Sequence, residues 1–380
     1  MLDLDIRTNE LVDAYFNMTE SEAALEIIRN FHLRAKLGMY TEQKLRETLA
    51  YATKNSSFYR EKYGEQVKFP GSHEFAAAFK KLPYTDEKDL RKRGRDMLCV
   101  RPSEISRIVT LPDEGVTMET SGTTGEPKRV YFTEEDQQLT IDFFNHGMRL
   151  IVDESDKVLI LMPAKIPGSI GLLLGQGLKD LGAEAIEYGL PDFRSNEAGA
   201  VEEILNIIAE ENVTSIVGLP THMIRLAREA EKRGLAGPAV RDGIQLRSIL
   251  LSAEYVPDKT MMLLEEIFGC CVYEHYGMTE MGLGCAVSCG YGRGYHVREA
   301  DLYIELINPI TGQVVEGEGR KPGYSNYGEI VFTTLTRKGM PFIRYRTGDF
   351  SRWILEPCPC GSVLKRLDKV APREEKKGGL

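Results

Sequence analysis

The sequence predicts an α/β fold: mostly parallel strands covered by helices, followed by a small β subdomain. Two observations carry that expectation. Between Leu111 and Phe268, short apolar runs alternate with stretches of helical periodicity, the signature of parallel β-α-β units. From His296 the style shifts to short strands separated by turn clusters such as Asn308-Pro309-Ile310-Thr311-Gly312. A third feature, the helical character of the first hundred residues, suggests a front section packed onto the later core.

The elements follow in order. Ser21 to Leu37 places Ala24, Leu25, Ile27, Ile28, Phe31 and Leu33 close to a 3.6-residue period, and Leu45, Leu49, Ala52 and Phe58-Tyr59 continue it. The basic run Lys88 to Arg95 reads as a solvated helix face. Thr133 with Asp136 three residues on marks a capped helix start. Strands are expected at Val158–Met162, Ala185–Tyr188, Thr214–Leu219, Ser248–Ser252 and Val272–Tyr276. Helices at about Ser169–Leu181, Ala198–Glu211, Thr221–Arg233 and Pro257–Phe268 separate them. Leu302–Ile307, Glu329–Leu335 and Phe342–Tyr345 are the expected strands of the β subdomain. The expected division is a helical section at 1–100, an α/β core at 101–295, the β subdomain at 296–373 and a tail at 374–380.

Composition narrows the function classes. The 380 residues carry a formal net charge of -9, which argues against an electrostatic grip on nucleic acid. No apolar run reaches the length of a membrane span, and the start lacks a basic signal region, so a cytoplasmic protein is expected. Seven cysteines, an odd number, then point to thiols or metal ligands rather than a disulfide framework.

Within Ser121-Gly122-Thr123-Thr124-Gly125-Glu126-Pro127-Lys128 stand three hydroxyls, two glycines and one lysine. Glycines let backbone N–H groups turn toward an anion, hydroxyls add donors, and the lysine adds a point charge. The combination suits a triphosphate, although a Gly/Ser/Thr surface turn is the plain alternative. It is not a Walker loop, because the lysine follows a proline and leads into a strand.

Two further stretches have matching chemistry. Tyr276-Gly277-Met278-Thr279-Glu280 offers a carboxylate on a loop beyond a buried strand, as magnesium accompanying ATP requires. Arg344-Tyr345-Arg346-Thr347-Gly348-Asp349 offers a carboxylate able to accept both ribose hydroxyls. Either alone could be a capped turn.

Together and in this order, the three stretches resemble the motifs of the adenylate-forming enzymes, the acyl-coenzyme A synthetases and ligases, with the phenylacetate–coenzyme A ligase branch as nearest match. The resemblance runs from about residue 80 to 373. It implies that Lys128 and the loop hold the β- and γ-phosphates, Thr279 contacts the α-phosphate, Glu280 holds magnesium, and Tyr276 packs on adenine beside Gly277. It further implies that Asp349 fixes the ribose, the segment Ser252-Ala253-Glu254 lines the adenine, and His222 lies beside the reacting carboxylate. A cap or packing role for His222 stays open. Gly168 to Gly177, with Phe143-Phe144, resembles the wall of an acyl pocket; Gly171 and Gly175 either leave room for a ring or permit close helix packing.

Cys289, His296, Cys358 and Cys360 would make a closed, structural zinc site of three thiolates and one imidazole, with Cys285 in reserve. Some relatives in that branch carry a comparable set. The alternative is buried cysteines beside a Cys-Pro-Cys turn, and Cys99, Cys270 and Cys271 are read as core.

The resemblance stops at a hinge. Relatives continue into a lid domain on the order of 100 residues whose lysine bridges carboxylate and α-phosphate. Here Pro372-Arg373-Glu374-Glu375 occupies the hinge, Arg373 matching its arginine, and the sequence ends at Leu380, so the expectation is that the lid is missing. The implied activity is ATP- and magnesium-dependent adenylation of an aryl or arylacetic acid, with coenzyme A as acceptor if a lid is supplied. The alternatives are an acceptor such as a reductase, carrier protein or coenzyme, and an AMP- or acyl-adenylate-binding protein without turnover. Implied partners are the small acid, a separate lid or acceptor protein and a second copy in a homodimer.

Overall fold

The computed structural model describes residues 5–8, 10, 26–64, 72–111, 127–237, 243–315 and 327–371. The long helix α1 (Glu26–Asn55) buries Leu33, Leu37, Tyr40, Leu45, Leu49 and Ala52 along one stripe. Short helices α2 (Ser57–Tyr63), α3 (Ser72–Phe79) and α4 (Glu87–Arg93) follow. They are tied to the later chain by buried polar bonds: the Tyr40 hydroxyl donates to the Ala300 carbonyl and that of Tyr59 to the Pro341 carbonyl, each at 2.9 Å. Among the described residues no helix is long and apolar enough to cross a membrane.

Strands β1 (Arg107–Leu111) and β2 (Lys128–Phe132) form an antiparallel pair in which Leu111 faces Lys128. Thr133 then caps α5 (Glu134–Met148) through a reciprocal box with Asp136. The βα alternation follows as β3 (Lys157–Ile160), α6 (Ile170–Leu181), β4 (Glu184–Glu187), α7 (Glu197–Glu210), β5 (Ser215–Gly218), α8 (Pro220–Lys232), β6 (Ser248–Leu251), α9 (Asp258–Phe268) and β7 (Cys271–Tyr276). These strands pair in parallel in the order β4-β3-β5-β6-β7. Their side chains alternate between two buried layers. Val158, Ile160, Val217 and Leu250 face one, and Leu159, Ile216, Ile249 and Leu251 the other. Helices on both faces account for the apolar runs.

Beyond β7 the sheet continues antiparallel. Strands β8 (Ala286–Ser288), β9 (Tyr295–Val297), β10 (Leu302–Ile307), β11 (Tyr327–Thr334), β12 (Tyr345–Ile354) and β13 (Arg366–Leu367) extend it in the order β7-β8-β9-β13-β12-β11-β10.

Two local readings need correction, and one left open is decided. The expected strand Phe342–Tyr345 is not one: Arg344 takes a left-handed φ of 48° and β12 begins only at Tyr345. The turn aims the Arg344 side chain inward, where its Nε donates to Glu305 Oε2 at 3.0 Å and its Nη1 to the carbonyls of Lys80 and Leu82. For the α6 glycines, read as open between ring room and close packing, the structure favours close packing. A Cβ at Gly171 would lie 2.8 Å from the Pro163 carbonyl oxygen, and one at Gly175 2.3 Å from Glu187 Oε1. Cys271, read as core, is exposed at the start of β7, whereas Cys99 and Cys270 are buried.

Candidate functional site

The site sits where β2 begins against the loops beyond the carboxyl ends of the parallel strands, the position at which such sheets bind ligands. Ser121, Gly122, Thr123, Thr124 and Gly125 of the phosphate loop lie outside the described residues, as does Arg373. Lys128, the last residue of that motif, opens β2 and points inward, because alternation along the strand turns Arg129 out to solvent. Its Nζ lies 2.9 Å from Oε1 of Glu280.

Glu280 is held from three sides. It lies in the single 3-10 turn Thr279–Met281, which Gly282 closes with a left-handed φ of 78°. The Tyr345 hydroxyl donates to the same carboxylate oxygen at 3.3 Å. Arg337, stacked over Phe132, donates to the Glu280 carbonyl at 2.9 Å and to the Tyr131 carbonyl at 2.8 Å, so β2 and the Glu280 turn are clamped together.

At the start of the same loop, the Tyr276 hydroxyl donates to Asp349 Oδ2 at 2.9 Å. Burial and then the neighbouring Asp349 charge hold the Tyr276 phenol well above its ordinary range, so it stays a proton donor. Gly277 admits no side chain, since a Cβ there would lie 2.7 Å from the Leu283 carbonyl oxygen. Asp349 is aimed by a bulge. Arg346 faces Val331 and Phe350 faces Glu329, so Thr347, Gly348 and Asp349 stand opposite Ile330 alone. Gly348 takes φ 76°, and the Asp349 N–H donates to Thr347 Oγ1 at 3.0 Å.

The remaining candidates lie on the loop after β6 and in the first turn of α8. Ala253 turns through φ 69° just past β6. Glu254 accepts from the Thr221 N–H at 3.2 Å and the Thr221 hydroxyl at 3.0 Å, joining the loop to the first turn of α8. His222 packs edge-on against Phe193 with ring centroids 4.8 Å apart, and burial lowers its pKa. The structure therefore brings Lys128, Thr279, Glu280, Tyr276 and Asp349 into one connected group, and sets His222 in the first turn of α8 and Glu254 on the loop beyond β6. Arg337 and His275 were not singled out by the sequence reading, and Tyr345, inside the Arg344–Asp349 stretch, was given no role; His275 directly precedes Tyr276.

A family model described as AMP-binding enzyme matches residues 109–334, more than half of the chain. The chain belongs to the AMP-binding enzyme family. Among curated relatives of this AMP-binding enzyme is the phenylacetate-coenzyme A ligase of Pseudomonas putida, 27% identical over 88% of this chain and 70% of the relative. The ligase of the same name from Escherichia coli (strain K12) gives the same three figures. They place the chain in a phenylacetate–coenzyme A ligase-like branch. A solved 2-hydroxyisobutyryl-CoA ligase, captured with 2-HIB-AMP and CoA, superposes with a TM-score of 0.72 at 23% identity, covering 92% of this chain and 69% of that one. That likeness establishes the α/β fold of the family.

The AMP-binding enzyme also gathers its cysteines. Cys289 follows β8, His296 lies in β9, and Cys358 and Cys360 lie between β12 and β13. Cys289 Sγ is 3.5 Å from Cys358 Sγ, and Cys360 Sγ is 3.4 Å from His296 Nε2. All four donor atoms lie within 4.8 Å of one another. Tetrahedral zinc with bonds of about 2.0–2.3 Å needs neighbouring donors roughly 3.4–3.8 Å apart, so the set fits that ion. Burial, then the Arg366 charge, lowers His296 to about 4 and keeps the imidazole neutral, as a ligand must be. Cys285 stands apart from the set, fully buried, and burial pushes its thiol up to about 12.

Proposed function

We propose that this chain activates a carboxylic acid as its acyl-adenylate and passes the acyl group to the thiol of coenzyme A. The observation that carries the reading is the joining of two pairs, Lys128 with Glu280 and Tyr276 with Asp349, through one loop at the carboxyl end of the parallel sheet.

In the first half-reaction a carboxylate oxygen attacks the α-phosphorus of ATP. An acyl–O–P bond forms, the bond to the β-phosphate oxygen breaks, and pyrophosphate leaves. Two anions must approach each other, so fixed positive charge at their junction lowers the barrier. Lys128, buried and with the loop on the β- and γ-phosphates, supplies positive charge on the side from which pyrophosphate leaves. Thr279 directs its hydroxyl at the α-phosphate, Asp349 accepts the ribose hydroxyls, and Tyr276 orients Asp349 while backing the adenine. Glu280 offers the hard oxygen donor that magnesium prefers, and the ion, when bound, neutralises polyphosphate charge. Ser121 to Gly125 complete the cradle in this reading. In the second half-reaction the thiol attacks the acyl carbon and AMP leaves. An aryl or arylacetic acid is the proposed substrate, as for the ligases of this branch. The Cys289, His296, Cys358 and Cys360 set is proposed to hold zinc in a structural role.

Acid-dependent exchange of labelled pyrophosphate into ATP tests the proposal. Exchange that requires magnesium and one of a panel of aryl acids is the expected result. No exchange with any acid of the panel would overturn it.

A further inference from the structure

Directly beneath the nucleotide residues lies an apolar pocket between the sheet and helices α5 and α6. Val217 of β5 and Leu250 of β6 form its floor, and Phe143, Phe144 and Leu174 its roof. Two polar side chains, Ser252 and His275, complete the wall. The pairing of Leu251 with Glu274 puts Ser252 level with His275 at the ends of β6 and β7. Ser252 Oγ and His275 Nδ1 are 2.8 Å apart. The other ring nitrogen, Nε2, is buried and has no hydrogen-bond partner among the described residues.

A buried, unpaired ring nitrogen in an apolar wall carries a penalty that a fold does not need. A packing role alone would be served better by leucine or phenylalanine, since the rings of Phe143 and Phe144 already stand 6.1 and 6.2 Å from the imidazole. The cavity is about 20 Å³ as it stands, room for one water, which usually finds about three partners. An aromatic guest would need the phenylalanine roof to rotate outward to make room. Burial lowers His275 to about 4, so the guest meets a neutral ring.

We propose that His275 determines specificity, its Nε2 pairing with a hydroxyl on the acid, so that the substrate is a hydroxyl-bearing aromatic acid. The inference rests on the reading of this pocket as the acyl site of an adenylating enzyme. A hydroxyl is the group that fits both tautomers. If Ser252 donates to Nδ1, then Nε2–H donates to the ligand oxygen. If Nδ1–H donates to Ser252, then Nε2 accepts from the ligand O–H. The two phenylalanines and the aliphatic floor suit the ring that carries the hydroxyl.

The test is calorimetric binding of phenylacetate and its 2-, 3- and 4-hydroxy derivatives, with the benzoate series alongside, to the full chain. At least one hydroxy isomer should bind about 10- to 100-fold more tightly than its parent acid. In His275→Phe that preference should fall to within about threefold, while His275→Gln, which keeps a polar group at similar reach, should retain part of it. The proposal is overturned if the wild-type protein prefers no hydroxy isomer, if no acid binds, or if the preference survives in His275→Phe. The wild-type comparison and His275→Gln decide the matter should the phenylalanine variant not fold. Preferential binding without acid-dependent exchange would sink the adenylation reading and leave His275 as the hydroxyl-recognising residue of a binding pocket. Exchange without hydroxyl preference would do the reverse.

Discussion

Lys128 Nζ and Glu280 Oε1 lie 2.9 Å apart, and the two side chains are only 7% and 1% exposed. A buried pair of this kind contributes little net stability over an apolar pair, but removing one partner strands the other charge. Glu280→Gln should therefore destabilise the fold by about 3–5 kcal/mol in denaturant unfolding and lower acid-dependent exchange at least ~100-fold. The double variant Lys128→Met/Glu280→Gln should regain much of the stability and none of the exchange. Recovery of activity in the double variant would contradict the role given to the pair.

The Tyr276–Asp349 bond makes a separate prediction. Asp349→Asn leaves the tyrosine a partner but removes the anion proposed to grip the ribose. AMP affinity, read by calorimetry, should fall about 10- to 100-fold with little change in melting temperature. An unchanged affinity would remove Asp349 from the nucleotide site.

The cysteine and histidine set predicts one zinc per chain by elemental analysis. Chelation, or Cys358→Ser, should lower the melting temperature by at least about 5 °C, because the ion would join the β8–β9 hairpin to the β12–β13 connection. Purified protein free of zinc, with a melting temperature indifferent to added zinc, would rule the site out.

His275 links stability to pH. Its pKa is lowered from 6.5 to about 4 by burial, so between those values the unfolded chain binds more protons than the folded one. Stability from this group is complete above about pH 6.5 and is lost as pH falls toward 4, by up to about 3 kcal/mol. His275→Phe should flatten that part of the stability profile. A variant as acid-sensitive there as the wild type would show that other groups carry the effect.

Much of this architecture was legible because parallel strands buried on both faces leave uninterrupted apolar runs, as in Ser248–Leu251, bounded by turns and helix starts. The candidate motifs stood out because few residue types suit phosphate, magnesium or ribose, and the structure pairs Lys128 with Glu280 and Tyr276 with Asp349. Two kinds of feature escaped. Arg344 interrupts a strand-like run with a left-handed turn whose reason, the buried Glu305 carboxylate, lies on β10 and is invisible locally. His275 and Arg337 carry no motif of their own. The importance of each comes from what the fold sets opposite it, Ser252 in one case and the Glu280 and Tyr131 carbonyls in the other. The α6 glycines could be read either way until the neighbouring backbone at Pro163 was in place.

The most direct test is a crystal structure of the protein with AMP bound. The adenine should lie against Tyr276, the ribose hydroxyls within hydrogen-bond distance of Asp349, and the phosphate beside Thr279. A nucleotide bound elsewhere, or one whose ribose is out of reach of Asp349, would contradict the account.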